Sequence, residues 1–118
     1  MPMPLVAVYT ASKTAIEGFS SSLALELKPF GIEVKLVQPG YGPTTSFTSN
    51  GAERMQGLIT ADYADYAQSV FAAFTQVQQF TKELDVAEAV FRAATDQSGQ
   101  RRFPAGADAI ALSLAERC

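Results

Sequence analysis

Tyr9 and Lys13 stand four residues apart in "YTASKTAIEGF", residues 9–19, and theirs are the residue types and spacing that could do chemistry together. On a helix, positions i and i+4 lie one above the other. A free phenol ionises near pH ~10, too high for ready proton exchange at neutrality, and an ammonium a few ångströms away favours the phenolate. A tyrosine so placed can act as a general acid or base. The spacing alone is a weak signal. The chain has four tyrosines, and an ordinary aromatic one turn before an ordinary surface lysine reads the same way. Ser12 invites a nucleophilic role, but there is no histidine to activate it, so a small helix-packing residue is the simpler reading.

The lack of histidine removes further chemistry. Neither a Ser-His-Asp nor a Cys-His mechanism can be built from these 118 residues, and with one cysteine, Cys118, neither can a structural zinc site. No metal is expected. One thiol cannot staple the fold internally, which favours a reducing, cytoplasmic setting. A net charge of −3 gives no footprint for nucleic acid or an anionic membrane. The opening "MPMPLVAV" is apolar but short and has no basic run, so it does not read as a signal peptide, and no stretch approaches membrane-spanning length. Hydrophobic residues make up 47%, enough for a packed core in one domain or part of one.

The elements that must position Tyr9 and Lys13 follow from periodicity. From Thr10 to about Lys28, Ala15, Ile16, Phe19, Leu23 and Leu27 recur at three- and four-residue steps. This predicts a helix with one buried apolar stripe, and with Glu17, Ser20, Ser21 and Glu26 on other faces. Pro29 and Gly31 end it, Gly31 being placed for a left-handed turn. "IEVKLVQ", residues 32–38, is β-branched and bounded by Gly31 and Pro39-Gly40, so it reads as a strand. A helix joined so closely to a strand is half of a βαβ unit and implies a parallel α/β sheet.

Residues 40–57, "GYGPTTSFTSNGAERMQG", read as loop. A second helix is expected from Thr60 to about Phe80, with Tyr63, Ala67, Val70, Phe71, Phe74 and Val77 as its apolar face. Asp85 is expected to cap a third helix, with Glu88 three residues on as in a capping box. That helix should run to about Asp96. "QRRFPAG" reads as a short strand and "ADAIALSLAERC" as a terminal helix. Only two strands are visible, whereas a parallel sheet needs several with helices on both faces. The sequence reads as the second half of a larger body.

"YTASKTAIEGFSSSLALELKPFGIEVKLVQPGYGPT" resembles the catalytic helix, following strand and cofactor loop of the single-domain short-chain dehydrogenase/reductase family. Tyr-x-Ala-Ser-Lys, Leu-x-x-Glu-Leu, Gly-Ile-x-Val and Pro-Gly with a threonine four residues later occur in the family's order. "VAEAVFRAATD" and "RFPAGADA" resemble its last helix and last strand. The resemblance covers nearly the whole chain. It implies the C-terminal portion, residues 1–118, of a Rossmann-type doubly wound α/β domain, with 41–83 as a substrate-lid region.

It also implies roles for matched positions. Tyr9 would donate or accept the proton at the substrate oxygen. Lys13 would hold the nicotinamide ribose and favour the Tyr9 phenolate. Pro39 and Gly40 would shape the turn beside the nicotinamide of NAD(P), with no basis for choosing NAD or NADP. Gly42 stands where the family usually has a branched aliphatic residue contacting the carboxamide, and Thr44 would bond the carboxamide or pyrophosphate. The substrate would be a small carbonyl/alcohol pair and the intact protein a dimer or tetramer.

Other readings of these residues stand beside those. Pro39-Gly40 could be a plain turn, and Thr44 or Thr45 a cap. Tyr41, Phe47, Tyr63, Tyr66, Phe71 and Phe74 could line a pocket, pack a lid or meet a subunit. The family's Gly-rich phosphate turn and its catalytic serine, about a dozen residues before the tyrosine, have no counterpart in this sequence. The alternative to an oxidoreductase is therefore a non-catalytic module that binds a full-length partner through an apolar face.

Overall fold

The structure is a computed structural model that describes residues 4–42, 50, 57–76 and 79–116. Helix α1 spans Ala7–Leu27. It starts three residues before the expected Thr10, with Thr10 N–H donating to Val6 O at 2.8 Å. Val6 offers no side-chain cap, and Leu5 before it has φ 68°, a left-handed conformation unfavourable without glycine. The first turn of α1 thus begins without the usual anchoring.

Its other end is well formed. Lys28–Phe30 tightens into a 3₁₀ turn, Gly31 takes φ 70°, and Ile32 N–H reaches back to Leu27 O at 3.4 Å. This is the glycine stop that the sequence predicts.

The strand is shorter and later than expected. Strand β1 covers Leu36–Pro39 rather than 32–38, because its partner β2 is only Arg102–Ala105. The two pair in parallel, with Leu36 opposite Arg102 and Pro39 opposite Ala105. Among the described residues these two strands make the whole sheet. Among the described residues β1 has this one parallel neighbour, and its other edge has none. Val34, Leu36 and Val37 are only half-buried and Ile32 is exposed.

Between the strands lie a 3₁₀ turn at Ala61–Tyr63, helix α2 at Ala64–Thr75 and helix α3 at Glu83–Thr95. Helix α2 stops before the expected Phe80. Of its expected apolar face, Ala67 is buried and Val70 half-buried, while Tyr63 and Phe71 are exposed. The side chains of Phe74 and Val77 lie outside the described residues. Helix α3 begins three residues earlier than expected, with Lys82 rather than Asp85 at the N-cap. Asp85 is not its N-cap but sits in its first turn, where its carboxylate accepts the Lys82 N–H at 2.8 Å. That carboxylate reaching back from the first turn is the second half of a capping box.

The core gathers where α3 and helix α4, Ala107–Glu116, cover the sheet. Ala89 and Ala93 are buried on α3, Phe103 and Ala105 on β2, and Ala109 on α4. Alanines let the helices approach the strands closely, and Phe103 is the one large apolar side chain among these buried residues.

Helix α1 reverses the expected pattern. None of its residues is buried. Ile16 and Phe19, from the expected buried stripe, are exposed, Phe19 by 67%, and Ala15 is exposed too. Only Leu23 and Leu27 of that stripe are half-buried. They are joined by Thr10, Glu17, Ser20, Ser21 and Ala24, residues expected mostly on other faces. The apolar stripe points away from the sheet because the sheet takes up the polar side. Glu17 accepts from Gln38 at 3.1 Å and pairs with Arg102 at 3.1 Å, and Arg101 reaches Ser21 at 3.3 Å.

Candidate functional site

The side of α1 that meets the sheet also carries the Tyr-Lys pair. At about 3.6 residues per turn, Tyr9, Lys13 and Glu17 fall on one side of the helix, each a turn from the next. Glu17 bonds Gln38, late in β1, whereas Ser21 meets Arg101, just before β2. The first turns of α1 therefore lie toward the carboxyl ends of the strands. The Lys13 ammonium sits 5.3 Å from the centroid of the Tyr9 ring, within cation–π range. Tyr9 is 44% exposed. Ser12, expected to pack, is exposed instead and donates its hydroxyl to Tyr9 O at 2.7 Å.

Past the end of β1, the chain enters a polar junction. Gly40 N–H lies 3.2 Å from Ala105 O and 2.9 Å from Thr81 Oγ1. Tyr41 N–H donates to Asp108 Oδ2 at 2.7 Å, and Tyr41 O accepts from Thr81 N–H at 2.6 Å. Thr81 Oγ1 is 2.7 Å from Asp108 Oδ1 and 2.8 Å from Ala105 O, so its one proton has two acceptors at hand. Thr81 is the buried polar side chain among the described residues, 2% exposed. Among the described residues no buried side-chain nitrogen or oxygen lacks a partner.

Two glycines make this junction possible. A Cβ on Gly40 would run into the Asp108 carboxylate, and one on Gly106 would meet Thr81 Oγ1 and come within 2.8 Å of its Cβ. Gly106 also has φ 96°.

Of the residues singled out from the sequence, Pro39, Gly40 and Gly42 follow one another through and beyond this junction, and Tyr9 and Lys13 stand together on α1. Thr44, with Phe47, lies outside the described residues, as does most of the 40–57 loop. Sequence reasoning missed Thr81 and Asp108. Asp108 did carry a signal, an acidic residue in the first turn of the terminal helix, where it complements the helix dipole. Thr81 carried none, since a lone threonine before a helix reads as a surface residue.

Among the described residues no three His, Cys, Asp or Glu side chains gather as for a metal ion, and no helix is long and apolar enough to cross a membrane.

Comparison with known proteins agrees with the motif order. A sequence model of the family "short chain dehydrogenase" matches residues 1–56. An uncharacterized oxidoreductase of Schizosaccharomyces pombe is 33% identical over 107 residues, which cover 90% of this chain and 44% of the relative. The uncharacterized oxidoreductase YusZ of Bacillus subtilis is 35% identical over 108 residues, 87% of this chain and 38% of the relative. The 3-ketodihydrosphingosine reductase of Bacteroides thetaiotaomicron is 42% identical over 79 residues, 67% of this chain and 28% of the relative. No solved structure matches the chain. The chain belongs to the short-chain dehydrogenase/reductase family, and it spans less than half the length of these curated relatives.

Proposed function

We propose that this chain is the C-terminal portion of an NAD(P)-dependent oxidoreductase acting on a carbonyl/alcohol pair, with its fold the corresponding part of a doubly wound sheet. The observation that carries this reading is the Tyr9–Lys13 pair, on the side of α1 that meets the sheet and toward the carboxyl ends of the strands, where open α/β sheets bind ligands. A phenol and an ammonium on one helical side suit the donor set that a nicotinamide ribose and a substrate oxygen require.

In this reading the Tyr9 hydroxyl moves the proton at the substrate oxygen. Lys13 holds the ribose hydroxyls and supplies positive charge beside the phenol. Pro39 and Gly40 set the turn beside the nicotinamide, Gly42 and Thr44 meet its carboxamide side, and residues 41–83 cover the substrate. When bound, the nicotinamide supplies or takes up the hydride. The name of the Bacteroides relative supports a ketone as the reducible group. Half a nucleotide fold lacks a phosphate cradle, so the isolated chain binds NAD(P) weakly and turns over little.

Calorimetric titration of the purified chain with NADP and NAD tests the last point. Micromolar affinity would show a complete unit. In a protein extended upstream by a Gly-rich turn, Tyr9→Phe should lower turnover by roughly 10²–10⁴-fold and leave cofactor affinity in place, and Lys13→Ala should weaken both. Undiminished turnover in the Phe variant refutes the assignment.

A second reading is favoured by α1, whose Val8, Phe19 and Leu25 are 85%, 67% and 73% exposed. As an interaction module, the chain would bury that face against a full-length partner or a second copy. A sizing column tests the second-copy form of this reading, and a monomer at all concentrations counts against that form.

A further inference from the structure

The turn after β1 is held by side chains far from it in sequence. Gly40 N–H donates to Thr81 Oγ1 at 2.9 Å and Tyr41 N–H to Asp108 Oδ2 at 2.7 Å, while the Thr81 backbone N–H adds a 2.6 Å bond to Tyr41 O. Gly40 does not have a left-handed backbone; the positive-φ glycines are Gly31, Gly57, Gly99 and Gly106. Its lack of a side chain is required instead by the Asp108 carboxylate, which fills the space a Cβ would take. Gly106 gives Thr81 the same room from the other strand. Two glycines and two polar side chains therefore form one interlocked unit, closed across β1, β2, the segment before α3 and the first turn of α4.

We propose that Thr81 and Asp108 are positioning residues for the turn 39–41, holding its backbone in the one conformation that sets the path of the chain toward Gly42. That this turn faces a nicotinamide rests on the function proposed above. A consequence is specific to this arrangement. The N–H groups of Gly40 and Tyr41 are committed to the interlock, so they are not donors to a ligand, and recognition passes to the residues that follow. Side chains that merely fastened α4 to the sheet would not need to take up two successive amides of the turn, Thr81 that of Gly40 and Asp108 that of Tyr41, or to exclude a Cβ from it.

Amide hydrogen exchange on the chain tests this without any nucleotide. Thr81→Val and Asp108→Ala each remove a partner, and exchange at Gly40 and Tyr41 should speed up on the order of tenfold or more. Amides in the middle of α1 and α3 should hold their rates, and Thr81→Ser should retain protection at Gly40. Should those variants fail to fold, Asp108→Glu keeps the charge but adds a methylene where Gly40 leaves no space. It should speed exchange at the same two amides. Unchanged exchange at Gly40 and Tyr41, or uniform acceleration along the chain, overturns the proposal. Titration with NADP is the separate arm. Micromolar binding by the unaltered chain would count against the function proposed above, whereas absence of binding would not, and either result leaves the exchange data to decide the interlock. If that chain binds, Thr81→Val should weaken binding on the order of tenfold and Thr81→Ser should not. Equal affinity in the Val variant overturns the positioning role.

Discussion

The end of the sheet and the helix that carries Tyr9 and Lys13 are held in opposite ways. At the sheet end, Thr81 is buried, each buried side-chain nitrogen or oxygen described has a partner, and two glycines admit the side chains that do the bonding. Helix α1 has no buried residue, and Glu17 and Ser21 bond it to the sheet and to the residue just before β2. Buried, satisfied hydrogen bonds fix one geometry, because breaking any of them strands a polar group away from water. Exposed pairs fix little, because water replaces them at small cost. A site assembled from both would have a rigid cofactor-side turn and an acid–base pair on a loosely seated helix.

The largest expected effect falls on the rigid region. Phe103 is 3% exposed and is the large side chain in a core otherwise made of alanines. Phe103→Ala should cost roughly 3–5 kcal/mol, read as loss of the cooperative transition in a urea or thermal melt. A small loss would show that the interlock, not the core, holds the sheet.

Two glycines give the next contrast. Gly40→Ala forces a Cβ into the Asp108 carboxylate and should cost about 1–3 kcal/mol. Gly18, in the interior of α1, has nothing within 4 Å of where a Cβ would sit. Gly18→Ala should therefore stabilise by roughly 0.5–1 kcal/mol through helix propensity. Melts of the two variants should move in opposite directions, and movement in the same direction would break the comparison.

Smaller still is Glu17→Ala, which removes the bonds to Gln38 and Arg102. The Arg102 pair is exposed and the Gln38 bond half-buried, so together they should be worth about 0.5–1 kcal/mol. The informative reading is local, with faster amide exchange in α1 and none at Gly40.

The smallest effect concerns the turn after α3. Asp96 Oδ1 accepts the Ser98 hydroxyl at 2.6 Å and the Ser98 N–H at 2.7 Å. These bonds, the hydroxyl's first, with Lys35 adding less, hold the Asp96 carboxyl below its ordinary value of 3.8 against an opposing effect of burial. A depressed folded value contributes stability above the ordinary pKa, lost as pH falls through the lower folded one. Ser98→Ala should raise the Asp96 pKa in a carboxyl NMR titration and move this loss to higher pH. An unchanged titration would remove the assigned cause.

Much of the fold was legible because it depends on neighbours in sequence. Gly31 ends α1 since a left-handed residue is needed directly after the last turn. The order Tyr9, Lys13, Pro39, Gly40 identified the family before any contact was known. Helix ends were less legible. Asp85 looks like an N-cap from local pattern, but its carboxylate lies in the first turn and bonds back to the Lys82 N–H, three residues earlier.

What the sequence determined by itself was helix periodicity, the glycine stop and the pairing of Tyr9 with Lys13 on one helical side, all set by local backbone geometry. Which side of α1 meets the sheet was decided only by tertiary structure. Periodicity locates an apolar stripe but does not say what covers it, and here the polar side found partners in Gln38, Arg101 and Arg102. The interlock of Thr81 with Gly40, Tyr41 and Asp108 joins residues 27 to 67 positions apart. No local pattern encodes such a contact, since it exists only once two parallel strands bring their carboxyl ends side by side.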